Sequence, residues 1–190
     1  KKRKEKKRKV KSFQAERLAI IIMLLTWQAE KRDFMKIVIC GAGIVGSAIA
    51  RHLAAEQNDV TVIDADPDKI QRIIEVADVG AVTGVASHPD MLEQAGMADA
   101  KLLIAVTESD EINMVACQVA YTIFQTPTRI ARIRSRAYLD PGVKSLYGPE
   151  HLPIDHIISP EVEVSAAAAR QLQLPGAFDV KDMVRGKIRL

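Results

Sequence analysis

The chain has 190 residues, 48% of them apolar and 27% charged, which excludes a disordered or collagen-like polymer. Only 4% are aromatic, so core volume must come from Ile, Val, Leu and Ala, the residues of parallel strands buried on both faces. The net charge of +3 hides two opposite parts: residues 1–34 carry 12 Lys/Arg against 4 Asp/Glu, leaving 15 against 20 for the rest, and a mildly acidic body is not that of a nucleic-acid-binding protein.

Lys1 to Lys11 is a block of nine basic residues interrupted by Glu5, followed by an apolar run from Leu18 to Trp27. Ten residues are too few to span a bilayer as a helix, which needs about 20. The segment 28–33 offers no small-residue cleavage site for export. An interfacial anchor, an export signal and a dispensable extension ahead of Met35 are the three readings, and 1–34 is set aside from the fold. Cys40 and Cys117 have no metal or CxxC spacing and read as buried thiols of a cytoplasmic protein.

From Met35 the pattern alternates. Lys36–Cys40 reads as a strand, and a helix over about 43–56 carries Val45, Ile49 and Leu53 on one face. Asp59–Ile63 is a second strand, and Asp66-Pro67 caps a helix through Val76. A short strand near Gly80–Thr83, a short helix from His88-Pro89 through Gln94, a strand over Lys101–Val106 and a Ser109-capped helix over about 110–123 follow. Thr128–Ile133 and Asp155–Ser159 supply two more strands, and Ser159-Pro160 opens a helix through Leu172. Strand–helix alternation of this kind predicts an α/β fold with a doubly wound parallel sheet, Rossmann-like. Phe178 to Leu190 reads as two short strands about Arg185-Gly186, the opening of a second lobe at which the chain stops. The expected organisation is 1–34 extension, 35–159 nucleotide-binding domain, 160–176 crossover helix and linker, and 177–190 start of the C-terminal lobe.

Gly41-Ala42-Gly43-Ile44-Val45-Gly46 is a GxGxxG between a strand and a helix. Gly41 permits the tight turn, Gly43 lets a pyrophosphate approach the backbone, and Gly46 lets helix pack on strand. Asp64, 18 residues after Gly46 at the end of the second strand, is placed to accept both ribose hydroxyls of an adenosine. Its charge opposes a 2′-phosphate, and Ala65 and Asp66 bring no arginine, so NAD(H) is favoured over NADP(H). Thr107 and Glu108 end the fourth strand at the expected switch point. Arg132, in an apolar strand, needs an anionic partner, either a ligand phosphate or a carboxylate such as Glu108. No YxxxK, no metal-ligand cluster and no acid partner for a histidine is present, and a nucleotide site without evident chemistry suggests a sensor rather than an enzyme.

The stretches KIVICGAGIVGSAIARHL, VTVIDADP, TGVASHPDMLEQAGMADAKLLIAVTESDEINMVACQVAY, TPTRIARIRS and IDHIISPE, in this order, resemble the N-terminal part of TrkA-type potassium-uptake regulators, which carry RCK (KTN) domains. The resemblance implies a peripheral cytoplasmic subunit that binds NAD(H), or ATP/ADP at the same site, and gates a membrane subunit of TrkH type. It implies that Gly41 to Val45 hold the pyrophosphate, Asp64 the ribose, Val85 (through its backbone) the adenine side, Thr107 and Glu108 the distal half, and Arg132 a phosphate. Full regulators of this type hold two such units and two C-terminal lobes. The helix over 110–123 spreads Ile112, Met114, Val115, Val119 and Ile123 widely enough to serve a dimer face, and Ala166–Ala169 would permit close packing, so a homo-oligomer is expected. The alternative is a truncated NAD-dependent dehydrogenase whose catalytic domain is missing.

Overall fold

The computed structural model describes residues 34–159, together with the strand pairing of 182–183 and 188–189. The helix expected over 160–172 and the extension 1–34, apart from Phe34, lie outside the described residues. Six strands form one sheet: β1 (Lys36–Cys40), β2 (Asp59–Asp64), β3 (Gly80–Thr83), β4 (Leu102–Ala105), β5 (Thr128–Arg132) and β6 (His156–Ile158). Their order is β3-β2-β1-β4-β5-β6, and every pairing is parallel. The helices are α1 (Ile44–Ala55), α2 (Pro67–Val76), α3 (Pro89–Gln94), α4 (Asp110–Thr122) and α5 (Arg136–Leu139). The first four helices and all six strands fall within a residue or two of the boundaries expected from sequence.

Alternation along the strands explains why both faces are covered. Ile37 and Ile39 of β1 point with Val60, Val62 and Ile104 toward α1 and α2, where Ile49, Leu53, Ile70 and Ile73 close one core. Val38 and Cys40 point the other way with Ile63, Leu103 and Ala105, toward Leu92 of α3, Met97, and Met114 and Cys117 of α4. Two layers of helix on one parallel sheet is the doubly wound arrangement. Helix starts are capped as the sequence suggests. The Asp66 carboxylate accepts from the Asp68 amide ahead of Pro67, and the Ser109 hydroxyl accepts from the Ile112 amide.

Two regions had no counterpart in the sequence reading. Gly96, with φ +80°, turns the chain out of α3 into a 3₁₀ turn at Met97–Asp99. Between β5 and β6, α5 is followed by a second 3₁₀ segment, Pro141–Leu146, started by the Asp140 carboxylate accepting from the Gly142 amide. Asp182–Met183 (β7) and Ile188–Arg189 (β8) pair antiparallel, in agreement with the two strands expected about Arg185-Gly186.

Candidate nucleotide-binding site

β1 and β4 are neighbours although two strands, three helices and a 3₁₀ turn separate them along the chain, and the connections leave their carboxyl ends in opposite directions. Such a switch point opens a crevice at the strand ends. A cleft of about 320 Å³ occupies it, and its walls come from the ends of four successive β-strands. Gly41 and Gly43 follow β1, Asp64 ends β2, Gly84 to Ala86 follow β3, and Thr107 and Glu108 follow β4.

The three loop glycines answer to three different causes. Gly41 has φ +107°, and a Cβ there would lie 3.0–3.1 Å from backbone atoms of Val106 and Thr107. A Cβ on Gly46 would stand 1.8 Å from the Gly41 carbonyl oxygen, so α1 can sit on the loop only without one. Gly43 is under neither constraint: its φ is −66°, and a Cβ would meet nothing within 4 Å. Its missing side chain leaves open space on the outside of the loop. At the same place α1 begins without a side-chain cap, so first-turn amides keep no intrahelical acceptor. Val45 and Gly46 are buried and Ile44 is exposed, so these residues can offer a ligand their backbone, while Val45 packs into the core.

Asp64 is half-buried and engaged on both oxygens. One accepts from the Ala42 amide at 2.7 Å and the other from the Asp66 amide at 2.9 Å. The carboxylate thus ties the glycine loop to the end of β2, and the Ala42 amide is occupied by that tie. Each carboxylate oxygen has a second lone pair beyond the one engaged by backbone, so Asp64 can still accept from a ribose diol.

Thr107 is fixed by a residue the sequence reading passed over. Asn113 of α4, fully buried, accepts from the Thr107 amide at 2.9 Å and from its hydroxyl at 2.7 Å. Its own amide group donates to the Arg132 carbonyl at 2.9 Å. One side chain therefore holds the ends of β4 and β5 together, and an asparagine amid apolar helix neighbours was the available signal. Asp110, also buried, accepts from the amides of Arg134 and Ser135 at 2.9 and 2.8 Å, and the Arg134 guanidinium donates to the Glu108 carbonyl.

Of the residues singled out from sequence, Gly41, Gly43, Asp64, Val85, Thr107 and Glu108 line this cleft together, with Ala42 and Ile44 on the outer side of the loop. Arg132 is half-buried at the end of β5 and is not among the lining residues. The cation that does line the cleft is Lys69 of α2, which sequence reasoning did not identify. Among the described residues no group of three or more His, Cys, Asp or Glu could hold a metal ion, and no helix is long and apolar enough to cross a membrane.

Comparison with known proteins supplies a family. The sequence model of the TrkA-N domain matches residues 37–160. The chain is 51% identical over 154 residues to the Trk system potassium uptake protein TrkA of Azorhizobium caulinodans, covering 81% of this chain and 34% of that protein. It is 49% identical over 156 residues to the protein of the same name from Halomonas elongata, covering 82% and 34%. The chain thus spans about a third of the length of these relatives. Among solved structures, the TrkA-N domain of the inner membrane protein ybaL from Escherichia coli superposes with a TM-score of 0.62 at 19% identity, covering 74% of this chain and 98% of that one. The Shewanella denitrificans Kef CTD, in AMP-bound form, gives 0.54 at 24% identity, covering 75% and 83%. With the fold, the glycine loop and the matched span in agreement, the chain belongs to the TrkA-N domain family.

Proposed function

We propose that this chain is the nucleotide-binding part of a cytoplasmic regulatory subunit of a Trk-type potassium-uptake system, and that it binds NAD(H), with ATP or ADP as competitors for the same cleft. The observation that carries the nucleotide reading is Gly43, a loop glycine that neither backbone conformation nor packing requires, facing open space beside uncapped helix amides. Those amides suit the diphosphate, the Asp64 carboxylate suits the adenosine ribose, and the backbone of Gly84 to Ala86 suits the base. Thr107 and Glu108 stand at the distal half, and Arg132 acts on a phosphate from the end of β5 once ligand is present. The regulatory reading is supported by relatives named for potassium uptake.

Regulation without turnover requires only that ligand favour one arrangement of subunits over another. Val115, Tyr121 and Ile123 stay exposed on α4, which supports a homo-oligomer through that helix, peripheral to a TrkH-type membrane partner. Calorimetric titration of the 190-residue chain with NADH tests the site. Saturable binding is expected, weakened roughly thirtyfold by Asp64→Ala, as losing about 2 kcal/mol of charge-assisted bonding implies. Equal binding by the variant, or no binding to a folded sample, would sink the reading.

A further inference from the structure

On the outer side of the glycine loop lies a second cleft, about 450 Å³, between α1 and α2. Its lining includes three cations, Arg51 of α1 with Lys69 and Arg72 of α2, against a single carboxylate, Glu75. Residues 35–190 hold five more acids than bases, so this concentration of positive charge runs against the composition around it. Three other cations of the sheet domain do have carboxylate partners: Lys36 meets Asp59 at 3.0 Å, Arg129 meets Asp155 at 2.8 Å, and Arg134 lies 3.8 Å from Asp110. Among the described residues none of Arg51, Lys69 and Arg72 is in an ion pair. The Arg72 Nε donates to the Asp68 carbonyl at 3.0 Å, which tethers its guanidinium along α2. Like charges gathered around one concavity repel one another, and a multiply charged anion relieves that repulsion.

Gly43 and Lys69 line both clefts, so the two are continuous around the open side of the loop. The sequence alone set Asp64 against a phosphate at this edge. In the structure both Asp64 oxygens are already held by backbone amides, and Lys69 lines the same wall. We infer that the α1–α2 cleft is a phosphoryl-binding subsite beside the nucleotide site, filled either by a phosphate on the adenosine ribose of the nucleotide or by a free phosphoanion next to it. The first of these sources rests on the nucleotide reading above; the second does not.

The test is calorimetry on the 190-residue chain at low, fixed ionic strength. NADH and NADPH are titrated separately, and inorganic pyrophosphate is titrated with and without saturating NADH. The paired protein is Arg51→Gln/Arg72→Gln, whose changes are exposed and lie outside the nucleotide cleft. NADPH binding within about tenfold of NADH, and weakened roughly tenfold by the double variant while NADH is unaffected, assigns the subsite to the ribose phosphate. Rejection of NADPH together with pyrophosphate binding that the double variant abolishes assigns it to a free anion. If NADH fails to bind, the nucleotide reading falls, and variant-sensitive pyrophosphate binding still sustains the subsite. Pyrophosphate and NADPH binding that are both absent, or both indifferent to the double variant, overturns it.

Discussion

At the scale of single residues, Gly43 and Gly46 make opposite demands although they stand three positions apart in one motif. Gly46→Ala drives a methyl into the Gly41 carbonyl, and unfolding in urea should show a loss of about 3 kcal/mol. At Gly43 a Cβ meets no protein atom within 4 Å, so Gly43→Val should leave stability within about 1 kcal/mol of the parent. The same change fills the space in front of the loop, and NADH affinity should fall at least a hundredfold by titration. If Gly46→Ala impaired only ligand binding and Gly43→Val only folding, the division of roles would be reversed. The tight turn at Gly41 and the close packing at Gly46 were legible in advance because a GxGxxG between strand and helix is a local pattern with a mechanism. Lys69 was not legible: it is an ordinary charged residue of a helix start, and only the approach of α2 to the loop brings it to the cleft. In the same strand the sequence argument took up Arg132 and passed over Arg129, which is the more buried of the two.

At the scale of elements, Arg129 explains how β5, β6 and the long connection between them stay together. Its guanidinium is buried, meets both Asp155 oxygens at 2.8 and 2.9 Å, and donates to the carbonyls of Pro153 and Thr126. The Tyr121 ring of α4 lies 4.8 Å beneath it. Arg129 is buried but the Asp155 side chain is 36% exposed, so Asp155→Ala should cost only about 1–2 kcal/mol in chemical denaturation, and Arg129→Ala, which strips a buried side chain from its partners, about 3 kcal/mol. A change below 1 kcal/mol for both would mean that the pair is dispensable. The partners are 26 residues apart, and no periodicity announces such a link. Strands β1, β2 and β4 were readable because burial on both faces writes them as unbroken aliphatic runs. Residues 133–155 were not, since short turns there are held by side chains such as Asp110 and Asp140 rather than by any repeating pattern.

Across the whole sheet domain, the two thiols sit on the same side, inside the core closed by α3 and α4. Burial pushes the Cys117 thiol up to about 12, with Arg129 opposing and Asp155 adding, and burial lifts Cys40 higher still, with Cys117 contributing. Both stay protonated in the folded protein, so thiol reagents should label neither until it unfolds; prompt labelling at neutral pH would contradict this packing. The linkage has a definite sign. The unfolded chain releases the Cys117 proton above its ordinary value near 9 and the folded chain retains it to about 12, so this contribution to stability is complete below 9 and disappears as pH rises across that window. Cys117→Ala should therefore show a stability–pH slope shallower by about 1 kcal/mol per pH unit above pH ~9.5. Identical slopes would show that the thiol ionises as easily in the fold as out of it.

Asn113 gives the same domain a mechanical property. It sits near the start of α4 and grips Thr107 at the cleft and the end of β5 beside it, while Val115 along the helix and Ile123 at its C-terminal cap are exposed. Ile123 is ten positions on, about 15 Å at the rise of a helix, so a tilt of about 4° pivoting at the asparagine swings it by about 1 Å. A lever of that length turns a displacement too small to break a hydrogen bond at Thr107 into one large enough to unseat an apolar contact at the far end of the helix.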